Sequence, residues 1–155
     1  MDAHQLKGLA VITLAEAERV GRVEDVVFET SPLRAAGLRL RTETGDRLVA
    51  FSDIRSIGAD AIITENVTSA EQNDAALNRR QLPGLEDLRK LNVVDEEGQF
   101  LGHIGRLEMD PGTGTVERIE VRKGEVLGMG GEGRTLSPDQ IISVGAELIT
   151  VRRAA

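Results

Sequence analysis

Gly21-Arg22-Val23-Glu24-Asp25-Val26-Val27-Phe28-Glu29 returns as Gly102-His103-Ile104-Gly105-Arg106-Leu107-Glu108-Met109-Asp110, at an offset of 81, with polar and apolar positions in phase. The closing stretches match as well. Ile54-Arg55-Ser56-Ile57-Gly58-Ala59-Asp60-Ala61-Ile62 pairs with Ile141-Ile142-Ser143-Val144-Gly145-Ala146-Glu147-Leu148-Ile149, now at an offset of 87. Recurrence at a fixed spacing marks a duplicated structural unit. Within the quoted stretch, Val23 and Phe28 lie five apart, so strict alternation cannot place both on one face of a strand. An extra residue must be absorbed near Glu24-Asp25, and a β-bulge is the device that does so. Gly105-Arg106 stands at the matching place, and glycine tolerates bulge geometry, so both copies predict the same kinked strand.

Outward from the kink, each copy repeats a short β pattern. Leu9-Ala10-Val11-Ile12 opens the first unit, and the kinked strand is expected from Arg19 to Glu29. Leu38-Arg39-Leu40-Arg41 alternates apolar and charged, as does Ile119-Glu120-Val121-Arg122, so both put an aliphatic face inward. Gly45-Asp46 supplies a hairpin turn into Arg47-Leu48-Val49-Ala50-Phe51. Ser52-Asp53-Ile54 reads as a helical turn, and Ser137-Pro138-Asp139-Gln140 as a capping box with proline at the first helical position. Ala61-Ile62-Ile63-Thr64 and Leu148-Ile149-Thr150-Val151 close the units. The polar stretch between them resembles a helix start at Ser69-Ala70-Glu71-Gln72, running to about Arg80 and ended by Pro83-Gly84. The chain re-enters the repeat pattern at Leu85, with Leu88, Leu91, Val93 and Val94 preceding a turn at Asp95-Glu96-Glu97-Gly98. The expected organisation is unit one over residues 1–64, a helical linker over 65–84, and unit two over 85–155.

Units of about 65 residues bury only ~60 % of their unfolded surface, so each needs help from its sister, from the linker or from a second chain. A homodimer is one way to supply it. Hydrophobic residues are 40 % of the chain but include only Phe28, Phe51 and Phe100 as aromatics, so the cores must be aliphatic. The net charge of −7 gives no long-range attraction for a phosphate backbone, and without Tyr or Trp little is left to stack on bases. Nucleic acid is not an expected partner. With no cysteine there are no disulfides, thiolate nucleophiles or cysteine-ligated metals. The first residues lack a signal peptide's pattern and no segment approaches 18 apolar residues, so the expected location is cytoplasmic, without membrane insertion.

An opening strand, G-x-V/I leading into a kinked strand, a hairpin, and a capped turn leading to I/V-G-x-D/E: this order resembles the PRC-barrel family, over both halves of the chain. The resemblance implies a mainly all-β protein of two small antiparallel barrels in tandem, joined by a short helical linker. Members of the family include the cytoplasmic barrel of the photosynthetic reaction-centre H subunit and the C-terminal domain of a ribosome maturation factor. Such domains hold other macromolecules. Neither the membrane helix that precedes the first nor the different N-terminal barrel of the second is expected here, so neither relative's specific task is carried over. At the kink, Asp25 is replaced by Arg106, so no polar role of that position is expected to be common to both units.

Gly128-Met129-Gly130-Gly131-Glu132-Gly133 contains G-x-G-x-x-G, but Arg134-Thr135-Leu136-Ser137-Pro138 follows where a dinucleotide site needs a helix. The change of offset from 81 to 87 places six extra residues of the second unit in this loop. It reads either as a lengthened hairpin tip or as a loop that orders on a partner, with Met129 as an adaptable apolar contact and Arg134 as its charge. His4 is expected in a frayed terminus and His103 beside the kink, too isolated for a metal site. Asp110-Pro111-Gly112-Thr113-Gly114 describes a turn better than a calcium loop. Arg39, Arg41 and Arg122 should project outward as partner contacts. The expected function is therefore a non-catalytic protein-interaction or assembly module, with no cofactor, no metal and no catalytic residue. A ribosome-associated maturation factor and a protein binding a small ligand or anion between the units are the alternatives.

Overall fold

The computed structural model describes residues 1–66, 73–124 and 132–152. The first unit contains β1 (Ala10–Thr13), β2 (Arg19–Thr30), β3 (Leu33–Thr42), β4 (Gly45–Ala50), β5 (Ile54–Ile57) and β6 (Ala61–Thr64). The second contains β7 (Asn92–Asp95), β8 (Phe100–Met109), β9 (Val116–Lys123), β10 (Glu132–Leu136), β11 (Ile141–Val144) and β12 (Leu148–Val151). Each forms a six-stranded sheet of the same order, β4-β3-β2-β1-β6-β5 and β10-β9-β8-β7-β12-β11. The edge strands of each sheet are neighbours in sequence. Laid flat, six strands would put β4 about 24 Å from β5. The chain from Ala50 to Ile54 can reach only about 14 Å. The sheet must therefore roll up, and the 3-10 turn Phe51–Asp53 closes it. Pro138–Gln140 does the same in the second unit, inside the capping box of Ser137. Each barrel is antiparallel apart from one pair, β1 with β6 and β7 with β12, which run parallel.

The kinks lie where the sequence spacing places them. The pairing of β2 with β3 skips Glu24, and that of β8 with β9 skips Gly105. Val23, Val26 and Phe28 all reach the core because of it. A second irregularity follows in each copy, where β3 passes Ala36 and β9 passes Glu117, so the extra residue on one strand is answered by one on its neighbour. Gly105 does not have a positive φ; in β8 that conformation belongs to Gly102, at +128°. A side chain there would stand 2.5 Å from the carbonyl carbon of Arg122, and one at Gly21 would stand 2.5 Å from the carbonyl oxygen of Arg41. The glycine that opens each motif is there because the neighbouring strand leaves no room for Cβ.

The two barrels share one core, and each is finished by the other's leading segment. Residues 1–6, ahead of β1, pack on the second barrel: Asp2 bridges to Glu108, and Met109 N–H donates to Met1 O at 2.8 Å. The counterpart ahead of β7 packs on the first barrel, with Gly84 bridging to Val27 and Phe28 N–H donating to Pro83 O at 2.9 Å. Ala3 and Leu6 from the 3-10 turn Ala3–Leu6, and Leu85 and Leu88 from the helix ahead of β7, are buried in the shared core. The help that a unit of this size needs thus comes from its sister.

The linker adds a second layer. Its helix α1 (Ala75–Arg79) begins after Asp74, whose carboxylate accepts Leu77 N–H at 3.0 Å. That start lies later than the helix signal read at 69–72, which falls outside the described residues. Leu77 lies over Val27 and Leu48 on the outer face of the first sheet. Gly37 makes this possible, since a Cβ there would meet Leu77 Cδ2 at 2.8 Å. The helix α2 (Leu85–Lys90) follows where the repeat pattern resumes, and its counterpart in the first unit is only the short turn Ala3–Leu6. No helix among the described residues is long and apolar enough to cross a membrane.

Candidate functional site

The linker, α2 and the second barrel together leave a groove of about 630 Å³ on the outer face of the first sheet. Its wall is mixed, with Val27, Leu48, Leu77 and Leu82 beside Thr30, Asn78 and Gln81, and the turn at Val144–Ala146 of the second unit borders it. Two cations, Arg39 from β3 and Lys90 from α2, also line it. Neither makes a hydrogen bond or ion pair with a described residue, whereas Arg41, Arg55 and Arg80 all pair with glutamates. The nearby carboxylate of Asp87 is engaged by Gly84 N–H at 2.9 Å. A half-buried guanidinium over aliphatic carbon, with no partner among the described residues, favours an acceptor brought from outside.

At the kink of β2, Asp25 holds the crossing segment. Its Oδ1 accepts Val26 N–H at 2.8 Å and Leu85 N–H at 3.1 Å, so the carboxylate caps the start of α2 from the neighbouring barrel. Burial pushes this carboxyl above the ordinary range, against the pull of those two N–H groups and of Lys7. Gly84 leaves it room, since a Cβ there would lie 2.9 Å from Asp25 Cγ. Beside it Lys7 donates to Glu86 at 2.9 Å, and that hydrogen bond holds the Glu86 carboxyl below its ordinary value.

At the kink of β8, Arg106 faces the equivalent crossing segment. Its Nε stands 3.5 Å from Asp2 Oδ2 and 3.6 Å from Glu108 Oε1. Asp2 is the capping residue of the leading turn, accepting His4 N–H at 3.1 Å. At both kinks, then, a charged side chain meets the segment that crosses from the other unit, by a hydrogen bond at the first and by an ion pair at the second. The position has kept a polar contact with that segment while reversing its charge, which corrects the expectation that no polar role is common to both copies. The same region holds His4, whose Nδ1 lies 3.2 Å from Arg89 Nη1, so His4 sits in a folded turn rather than a frayed end.

The residues singled out as partner contacts do not converge. Arg39 lines the groove, while Arg41, further along β3, pairs with Glu24 at 2.8 Å. Arg122 pairs with Glu120 on the second barrel, beside Arg106 and Arg89. Arg134 is half-buried on β10 opposite Val121. Met129 lies outside the described residues. His103 makes an edge-on ring contact with Phe100 at 5.5 Å, and Asp110 accepts Gly112 N–H at 2.7 Å as a turn residue. Lys90 and Asp25 were missed by the sequence reading. Lys90 ends a short helix where the sequence reading saw only the return of the repeat pattern, and Asp25 finds its partner 60 residues away in sequence. The family model of the PRC-barrel domain matches the chain twice, over residues 1–71 and 84–154. No curated protein matches it.

Proposed function

The chain belongs to the PRC-barrel domain family, and from that premise we propose that its two barrels form a non-catalytic, cytoplasmic protein-interaction or assembly module. The observation that carries this reading is the groove, where Arg39 and Lys90, without an ion-pair partner among the described residues, stand beside aliphatic side chains from both units and the linker. Its chemistry suits a protein segment that presents apolar side chains together with an acidic one. The cations set orientation and the aliphatic wall supplies the contact area.

Quantitative affinity purification from native lysate, comparing the wild type with an Arg39→Glu/Lys90→Glu variant, tests it. One partner should be enriched by the wild type and lost from the variant. Identical captures, or turnover of a metabolite by the purified protein, would overturn the reading. A capture dominated by ribosomal proteins would move the assignment to ribosome maturation, against which the net charge of −7 weighs. The groove's volume would also admit a small anionic ligand. In that case a low-molecular-weight fraction of the lysate, and not a protein, would protect the groove's amides from hydrogen exchange.

A further inference from the structure

The second kink differs from the first in a way that holding the crossing segment does not require. Where β2 carries Glu24 and Asp25, the same register positions of β8 carry Gly105 and Arg106. Around Gly105 lies a basin of about 420 Å³. Arg89 from α2, Arg106 from β8, Arg122 from β9 and His4 from the leading turn line it, with Asp2 and Glu120. Three guanidiniums thus converge on one basin, with Asp2 and Glu120 in its lining and Glu108 and Glu86 within 4 Å of Arg106 and Arg89.

Those carboxylates do not saturate the three forks, each of which has five N–H donors. Arg106 stands at or beyond hydrogen-bond reach of both acids that face it, at 3.5 and 3.6 Å. Arg89 lies 3.9 Å from Glu86. Arg122 is held closely by Glu120, but through Nε only, so its terminal nitrogens make no hydrogen bond with a described residue. At the first kink the equivalent guanidinium, Arg41, is met at 2.8 Å by Glu24. The residue that would answer Arg122 in the same way is the missing side chain of Gly105.

We propose that this basin binds a phosphate-class dianion, either inorganic phosphate or the terminal phosphate of a small metabolite. A further monocarboxylate would only duplicate what Asp2 and Glu120 supply. A tetrahedral dianion brings two charges and several acceptor oxygens to three forks that arrive from different segments. The site is independent of the groove, so failure of one reading leaves the other standing.

The first barrel supplies the design of the test. Gly105→Glu installs the residue that stands at the first kink. The position has no positive φ, and a Cβ would come no closer than 3.4 Å to Arg122, so the variant should fold. Titrations with inorganic phosphate, and separately with glycerol phosphate, are followed by amide NMR, which also reports on folding. The wild type should show saturable shifts centred on Gly105 and Arg106. Gly105→Glu and Arg106→Gln should each weaken binding by about tenfold or more, the scale of one lost hydrogen bond to a charged group. Arg41→Gln, at the first-barrel position that matches Arg122, should bind as the wild type does. Tighter binding of phosphate than of its ester would identify the free ion as the ligand, and the reverse a metabolite. Shifts that fail to saturate, or that survive Gly105→Glu, would overturn the proposal.

Discussion

At the kink of β2 an aspartate accepts the backbone N–H of Leu85, whereas at the kink of β8 an arginine faces the carboxylate of Asp2. Around these two positions the backbones agree closely. The skipped residue, the compensating irregularity on the neighbouring strand, the bridge to the crossing segment and the glycine at the strand's start all recur. What differs is which partner carries the acid. In the first unit the strand supplies it and the crossing segment offers the Leu85 N–H; in the second the crossing segment supplies it and the strand offers a base. Duplication has fixed the backbone geometry and left the side chains free to change, provided that each strand still complements the segment it holds.

If the backbone is the shared constraint, the largest effects should come from the two opening glycines. Gly102→Ala meets both a positive φ and the Arg122 backbone, and should cost about 3 kcal/mol or more. Gly21→Ala meets only the Arg41 carbonyl and should cost about 1–3 kcal/mol. Urea unfolding followed by circular dichroism measures both, since the chain has no Trp or Tyr to report by fluorescence. Equal and small effects would mean that the two strands tolerate a Cβ by shifting apart, and the shared frame would be softer than the comparison implies.

Next in size stands Asp25, whose removal strands the N–H of a buried residue. Asp25→Ala should cost about 1–3 kcal/mol. Asp25→Asn keeps an acceptor oxygen and should cost less. The pH dependence has a definite sign. Burial holds the folded carboxyl above its ordinary 3.8, so between that value and the raised one the folded state binds the proton more tightly than the unfolded chain does. Asp25 therefore adds stability at low pH that is lost as pH rises through its folded pKa. Glu86, with a lowered pKa, contributes in the opposite direction, losing its stabilisation as pH falls through its folded pKa. Unfolding measured across acid pH in the wild type and in Asp25→Asn separates the two, because only the Asp25 contribution disappears in the variant.

The fold was legible wherever a local pattern fixed it. The five-residue spacing of Val23 and Phe28 located the bulge, and the alternation of Leu38 with Arg39 and of Leu40 with Arg41 located the inward face. The two halves of the family match follow from the same repeats. Hidden were the relations carried by distance in the chain. Nothing in Met1-Asp2-Ala3-His4-Gln5-Leu6 says that Leu6 is buried beside the second barrel, and the three-residue spacing of Leu85, Leu88 and Leu91, though helical, does not say that the helix packs on the first barrel. The parallel pairing of β1 with β6 escapes for the same reason, since alternation fixes a strand's faces and not its neighbour's direction. Arg39 and Arg41 look alike in sequence, yet among the described residues Arg41 pairs with a glutamate and Arg39 does not.

Arg106 should give the smallest change in stability. Its side chain is 54 % exposed and its nearest carboxylates lie at 3.5 and 3.6 Å, the geometry of surface pairs worth less than about 1 kcal/mol. Arg106→Ala should therefore unfold within that margin of the wild type, and the difference should shrink further as salt is added. A loss comparable with that of Asp25→Ala would mean that the arginine is needed to hold the crossing segment, and the two kinks would be equal in weight as well as in place. A small loss leaves the charge unexplained by stability. The carbonyl and N–H bridges at Asp2 and Met109 already hold that crossing, so a base that adds little to it is free to serve an anion from solution. Stability of Arg106→Ala, read beside its response to phosphate, distinguishes a structural remnant of the duplication from the functional departure of one copy.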